Sequence, residues 1–356
     1  MSRKILPTKV MNILKEGGVL VPSPLALNEN IEVMEDFQRL LTLYYIKSGA
    51  KAVIPGAHTG EFSLNNIKVF ERWLLWVKEM TAEYGKDMML MAAIGGKDAL
   101  KQAELAAQYE YDIVLVAPTA FAGKDHDGVM TLLEDISSII PTFAFELQRA
   151  IPGSYSFTPE LWKDIFKIVY GGKGASFDTY RSLVMLEAAA TSQNLSSLSL
   201  YTGNDDRIVS DLLGEYSFTT DNKTISVQYD GGLLGHFATD THAVVGWVNS
   251  ILQKRKTCEW SFELSEKELS HAVNRCNSVL FDALGNFENS VWGVKYRLTS
   301  LGLLPAPICE SETGRKGQAE NIDKVYGEYP MLCDNDFVKE NIDWMKKEVG
   351  ITGGAV

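Results

Sequence analysis

The sequence predicts an α/β fold, a closed (β/α)8 TIM barrel with a helical C-terminal extension. Three observations point there. Eight short apolar runs recur at intervals of roughly 25 to 40 residues, the spacing that βα units need. Stretches between them carry helical periodicity. The runs themselves show no polar alternation, which suits parallel strands covered by helices.

In chain order the runs are Gly18-Val19-Leu20-Val21, Ala52-Val53-Ile54-Pro55, Met88-Met89-Leu90-Met91-Ala92-Ala93, Ile113-Val114-Leu115-Val116-Ala117, Phe143-Ala144-Phe145, Ile168-Val169-Tyr170, Leu198-Ser199-Leu200-Tyr201 and Leu233-Leu234-Gly235-His236-Phe237. Between the second and third, Leu64 to Tyr84 sets Ile67, Phe70, Leu74, Val77 and Met80 on one helix face. Asp98 to Tyr109 does the same with Leu100, Ala103 and Ala106. Tyr216 to Tyr229 interrupts the alternation and reads as two strands around an Asp221-Asn222 turn, a hairpin insertion. Beyond residue 243 helical patterns dominate, most clearly Leu264 to Leu284 and Ser290 to Leu301. Pro305-Ala306-Pro307 and the polar stretch Glu310 to Gln318 read as a linker or long loop. The expected division is an N-terminal extension over 1–16, the barrel over 17–245 with its hairpin near 215–230, and the helical extension over 246–356.

The 356 residues are 46% hydrophobic and 22% charged, ample material for a large core. The net charge of −12 comes with no basic block, which argues against nucleic acid and anionic membrane as partners. A small anionic substrate then has to be met by local donors. No run nears the roughly 18 apolar residues of a membrane span. The start, Met1-Ser2-Arg3-Lys4-Ile5-Leu6-Pro7, lacks the apolar stretch of a signal peptide. Cys258, Cys276, Cys309 and Cys333 form no CxxC pair and read as the reduced thiols of a cytoplasmic protein.

In such a barrel, function belongs at the C-terminal ends of the strands. Lys173 follows the sixth run, in Tyr170-Gly171-Gly172-Lys173-Gly174-Ala175-Ser176. Two readings are open. One is a strand-end lysine whose head snorkels to water. The other is a desolvated amine able to attack a carbonyl carbon. After the second run, Gly56-Ala57-His58-Thr59-Gly60-Glu61-Phe62 lets backbone N–H groups and the Thr59 hydroxyl approach a carboxylate. A plain βα turn with a helix cap reads equally well. Gly95-Gly96, Gly203-Asn204-Asp205-Asp206 and Gly231-Gly232 mark three further strand ends. Asp125-His126-Asp127 contains metal-ligand types, but adjacent loop residues rarely converge on one ion, and a solvated loop is the expectation. His236 is expected on the eighth strand as a hydrogen-bonded core group, with His242 and His271 in helices. No metal and no cofactor is expected.

Taken in order, these residues resemble the dihydrodipicolinate synthase / N-acetylneuraminate lyase family of aldolases and dehydratases. The resemblance runs through Pro22-Ser23-Pro24, the turn at Thr59-Gly60-Glu61-Phe62, Ala117-Pro118, Pro141, Lys173-Gly174-Ala175-Ser176 with Asp178, and Gly203-Asn204-Asp205-Asp206. It ends at Val294-Lys295, Leu301-Gly302-Leu303 and Pro305-Ala306-Pro307. It implies a (β/α)8 barrel with a helical tail, and a class I lyase whose lysine forms a Schiff base with a 2-keto acid such as pyruvate or a keto-deoxy sugar acid. It makes Lys173 the imine-forming amine. It places the substrate carboxylate at Thr59 and Gly60, with Gly203 and Gly232 as further substrate contacts.

The departures are specific. His58 stands where the family has a first hydroxyl residue. Phe145 falls on the family's strand-five tyrosine, counted back from Lys173 without a gap, and phenylalanine transfers no proton. Glu146, turned inward by a one-residue bulge, or His58 would then serve as proton shuttle. Gly172 replaces a bulky apolar residue. Thr119-Ala120, followed by Phe121, replaces an aromatic pair that packs between subunits, so a dimer or an unusual tetramer is expected. A second reading is an impaired relative that binds a keto or sugar acid without turnover. A metal-dependent aldolase would need a convergent carboxylate and histidine set that the sequence does not present.

Overall fold

The computed structural model describes residues 3–64, 66–220 and 222–351. Its elements alternate as the spacing requires. A leading helix α1 (Thr8–Glu16) precedes β1 (Gly18–Pro22), α2 (Glu35–Ser48), β2 (Ala52–Ile54), α3 (Ile67–Tyr84), β3 (Met91–Ile94), α4 (Ala99–Gln108) and β4 (Ile113–Val116). Then come α5 (His126–Ile139), β5 (Thr142–Leu147), α6 (Pro159–Ile165), β6 (Gly171–Ala175), α7 (Thr179–Ala190), β7 (Ser199–Thr202) and α8 (Ile208–Leu213). The hairpin strands β8 (Tyr216–Thr220) and β9 (Lys223–Val227) intervene before β10 (Gly231–Leu233). Helices α9 (Thr241–Thr257), α10 (Glu266–Leu280), α11 (Ser290–Ser300), α12 (Gln318–Glu328) and α13 (Asn335–Glu348) complete the chain.

Eight parallel strands form one sheet in the order β2-β1-β10-β7-β6-β5-β4-β3. Its two edges meet: Met89 N–H donates to Lys51 O at 3.1 Å and Ala93 N–H to Pro55 O at 2.8 Å. The result is a (β/α)8 barrel with C-terminal helices. Apolar residues fill both strand faces, so alternation divides them between two cores. Val19 and Val21 face the helix layer, while Leu20, Ile54, Met91, Leu115, Phe143 and Tyr201 fill the barrel. Leu6, Val10, Ile13 and Leu14 from α1 and its lead-in join the inner core. The N-terminal segment therefore belongs to the barrel interior.

Two strands lie elsewhere than the apolar runs suggest. Ile168-Val169-Tyr170 is the lead-in, and the sixth strand is Gly171–Ala175, with Lys173 at its middle and not its end. The eighth barrel strand is Gly231–Leu233, and Gly235–Ala238 is a 3-10 turn that carries His236. Both strands use small residues because large neighbours occupy the space. A Cβ at Gly172 would sit 3.1 Å from the Trp162 ring, one at Gly174 3.0 Å from Met185, and one at Gly232 2.5 Å from Phe237. The hairpin pairs antiparallel from Tyr216 with Val227 to Thr220 with Lys223. Asn222 takes φ +61°, and Asp221 of the expected turn lies outside the described residues.

A buried polar cluster holds the C-terminal helices to the barrel. Arg297 on α11 forks onto Asp240 at 2.8 and 2.6 Å. Asp334 accepts Tyr44 Oη–H at 2.6 Å and the N–H groups of His242 and Ala243, both at 2.8 Å, at the start of α9. Asp334 N–H donates to Asp240 at 2.8 Å. No described helix is long and apolar enough to cross a membrane.

Candidate active site

The C-terminal mouth of the barrel opens into a pocket enclosing about 570 Å³, open solvent at its mouth included. Its strand lining is Pro22 from β1, Phe145 and Leu147 from β5, and Lys173 and Ala175 from β6. Loops supply Ala57, His58, Thr59, Gly203 and Asp205, the segment between α10 and α11 supplies Phe281 and Phe287, and α11 begins with Ser290. His58, Ile151, Phe287, Ser290 and Val291 also line an outer vestibule of about 1340 Å³, with Glu61, Glu288, Glu312, Ser63 and Ser311.

Lys173 is 7% exposed and projects inward from β6. Its Nζ lies 4.0 Å from the centroid of the Phe145 ring, which pairs with it across the β5–β6 ladder. Burial pulls the amine down to about 7, against the opposing pull of the Asp205 carboxylate. Burial also drives the Asp205 carboxyl well above its usual range, with Lys173 pulling the other way. The loop carrying Asp205 runs against the lysine stem. A Cβ at Gly203 would stand 2.5 Å from Lys173 Cε. Asn204 fixes the loop through Asp211 at 2.8 Å, Ser182 at 3.0 Å and Phe177 N–H at 3.0 Å.

His58 opens a 3-10 turn, His58–Gly60, and its ring meets Phe62 edge-on at 5.5 Å. Burial first, and the Lys173 charge second, depress its imidazole to about 4, so the ring is neutral near pH 7. The Thr59 hydroxyl donates to Pro22 O at 2.7 Å. The N–H groups of Gly60 and Glu61 close the turn onto Ala57 O and His58 O. Among the described residues no hydrogen bond engages the His58 or Thr59 N–H, which leaves two backbone donors at the pocket wall. Glu61 takes φ +54° and is held from outside. It pairs with Lys295 of α11, accepts Glu310 N–H at 2.6 Å, and Lys295 donates also to Ile308 O at 2.7 Å. The C-terminal helices thus brace the turn.

Other expected positions fall elsewhere. β5 pairs with β6 without a bulge, so Glu146 keeps the alternate face and points out of the barrel. There it accepts Arg181 Nε–H at 2.8 Å and Trp162 Nε1–H at 3.2 Å. The inward acid expected of Glu146 is not in the pocket. Gly60 backs onto the Trp73 ring and Gly232 onto Phe237, behind the pocket wall. Asp125-His126-Asp127 begins α5 and is not a loop: Asp125 caps the helix and His126 Nε2 lies 2.9 Å from Asp164. His236 is buried, yet neither ring nitrogen has a hydrogen-bond partner among the described residues, contrary to the expectation. No group of three or more His, Cys, Asp or Glu side chains among the described residues could hold a metal. Sequence reasoning passed over Asp205, Phe177, Phe281, Phe287 and Ser290. Asp205 lay inside a contiguous motif and Phe177 within the Lys173-to-Asp178 stretch, whereas Phe281, Phe287 and Ser290 carry no local signal.

This barrel, with its inward lysine on the sixth strand, superposes on solved structures. A dihydrodipicolinate synthase from Acinetobacter baumannii, complexed with pyruvate, matches with a TM-score of 0.71 at 16% identity, over 88% of this chain and 99% of that one. The fold is that of the dihydrodipicolinate synthases. One from Aquifex aeolicus matches at 0.70 and 15% identity, over 90% of this chain and 100% of its own. CdNal from Clostridium difficile, in complex with mannosamine, matches at 0.67 and 15% identity, over 88% and 99%. No protein-family model matches the chain. No curated protein matches it in sequence.

Proposed function

We propose that the protein is a class I, Schiff-base-forming lyase, an aldolase or dehydratase acting on a 2-keto acid. The observation that carries this reading is Lys173: a buried lysine projecting into the barrel pocket, its amine pulled down to about 7, so that a large share is unprotonated at neutral pH. A neutral amine attacks the keto carbon, and the resulting iminium draws electrons from a neighbouring carbon–carbon or carbon–hydrogen bond; the enamine so formed can in turn expel a hydroxyl as water once that oxygen is protonated. The free His58 and Thr59 N–H groups would receive the substrate carboxylate beside the lysine. The neutral His58 ring is a candidate proton shuttle, as expected from sequence. The vestibule mixes hydroxyls and carboxylates with apolar walls such as Phe62, Ile151 and Phe287, with no lysine or arginine among its described lining residues. It suits a hydroxylated, uncharged tail, as in a keto-deoxy sugar acid. The fold shared with pyruvate-complexed and sugar-complexed structures supports this reading. A homo-oligomer in the cytoplasm remains the expected setting.

Phe145 favours a second reading. It lies over Lys173 where the resembling family has a phenol, which would leave a binder without turnover. One experiment separates the two. Incubation with pyruvate or a longer 2-keto acid and borohydride is expected to give a single adduct that peptide mapping places on Lys173. Lys173→Ala and Lys173→Arg both lose it, since arginine stays charged. Turnover persisting in the alanine variant would exclude this chemistry.

A further inference from the structure

Three titratable side chains line the described pocket: His58, Lys173 and Asp205. The phenol position holds Phe145, and Glu146 is occupied by Arg181 on the other side of the sheet. Asp205 is the acid among these three. Its carboxyl forms no hydrogen bond among the described residues, although its carbonyl accepts Asn277 Nδ2–H at 2.6 Å. Asp211 and Glu61, by contrast, are both paired. The charged groups acting on Asp205 are Lys173 from β6 and Asp206 from its own loop. His58 faces the same amine from the turn after β2, and α10 presents the neutral Asn277. Gly203 lays the loop along the lysine stem, and both side chains line the same pocket.

Resting on the Schiff-base reading, we propose that Asp205 is the acid–base partner of Lys173, supplying the proton with which the substrate oxygen leaves as water. The amine nitrogen adds to the keto carbon, and one of its protons moves to the oxygen, giving a carbinolamine. The Asp205 carboxyl then protonates that hydroxyl. The C–O bond breaks, water departs, and the nitrogen lone pair closes the C=N bond. The products are a protonated iminium, one water and an Asp205 carboxylate facing the new cation. Hydrolysis runs the same steps backwards and returns the proton to Asp205. The vacated phenol position is thereby filled from the opposite wall.

The test uses the full chain, pyruvate and cyanoborohydride, with the rate of adduct formation on Lys173 followed by intact mass across pH 5 to 10. The wild type is expected to give a bell whose two limbs belong to the coupled Lys173–Asp205 pair, the reactive form holding one proton between them. Asp205→Asn is expected to trap about 10²-fold more slowly and to lose the basic limb. Asp205→Glu retains that limb. A second readout needs no substrate. Labelling of Lys173 by trinitrobenzenesulfonate should shift its midpoint to lower pH in Asp205→Asn, because the ammonium loses its anion. If the wild type traps pyruvate and Asp205→Asn keeps both rate and profile, Asp205 is overturned while the lyase reading stands. An unmoved labelling midpoint in a natively folded Asp205→Asn would likewise overturn it. If no 2-keto acid traps on wild-type Lys173, the lyase reading itself falls and takes this one with it.

Discussion

A lysine kept neutral in the interior weakens the fold that holds it. Lys173 titrates at about 7 in the native chain and near its ordinary 10.5 when unfolded. Between those values the unfolded chain binds more protons, so stability rises with pH across that window, and below it the full penalty applies. Lys173→Met should therefore raise the melting temperature at pH 6 to 7, with a gain that fades as pH approaches 10. Denaturant titrations at several pH values measure it, and a gain independent of pH would contradict the neutral amine. Glu146 makes the opposite case. Its place between Arg181 and Trp162 is structural, so Glu146→Gln should cost about 1–3 kcal/mol of stability by leaving Arg181 unpaired. Borohydride trapping at Lys173 should continue at the wild-type rate. A collapse of trapping with stability intact would return Glu146 to the chemistry.

Among the elements, the loop after β7 sets the site. Gly203→Ala would drive a methyl to 2.5 Å from Lys173 Cε and 2.7 Å from Leu233 O, and neither neighbour can yield freely. We expect about 1–3 kcal/mol of destabilisation and loss of trapping, read by melting temperature and intact mass. The same packing explains what the sequence could and could not tell. The strands legible from it are those that bring their own bulk, such as Ile113–Val116. The sixth and eighth barrel strands were displaced because Gly171–Ala175 and Gly231–Leu233 borrow bulk from Trp162, Met185 and Phe237, which lie outside the strands on the flanking helices and turn. Lys173 was legible because its motif is contiguous. Glu146 was misread because facing is decided by unbroken register, and a bulge leaves no mark in one sequence. Phe281, Phe287 and Ser290 come from the tail, more than a hundred residues along the chain from Lys173, and only tertiary contact brings them to the pocket.

Across the whole molecule, the tail is fastened by charge to the barrel through Asp240 and the start of α9. Arg297 is the cation between the Asp240 carboxylate and the Asp334 loop. Burial and Asp240 raise the Asp334 carboxyl to about 7 even with that cation present. Arg297→Met should then cost about 3–5 kcal/mol, and hydrogen exchange should show α13 opening before the barrel. Uniform loss of protection would mean that tail and barrel unfold as one unit. At the other end, α1 fills the barrel with Leu6, Val10, Ile13 and Leu14. A cavity stopped at its base imposes a queue. On the lyase reading, a keto-acid fragment bonded to Lys173 would enter first in condensation and leave last in cleavage, while the fragment in the vestibule would depart ahead of it. Product-inhibition patterns should accordingly be those of an ordered mechanism, in which the short keto acid competes with the cleaved substrate for free enzyme and the vestibule product does not.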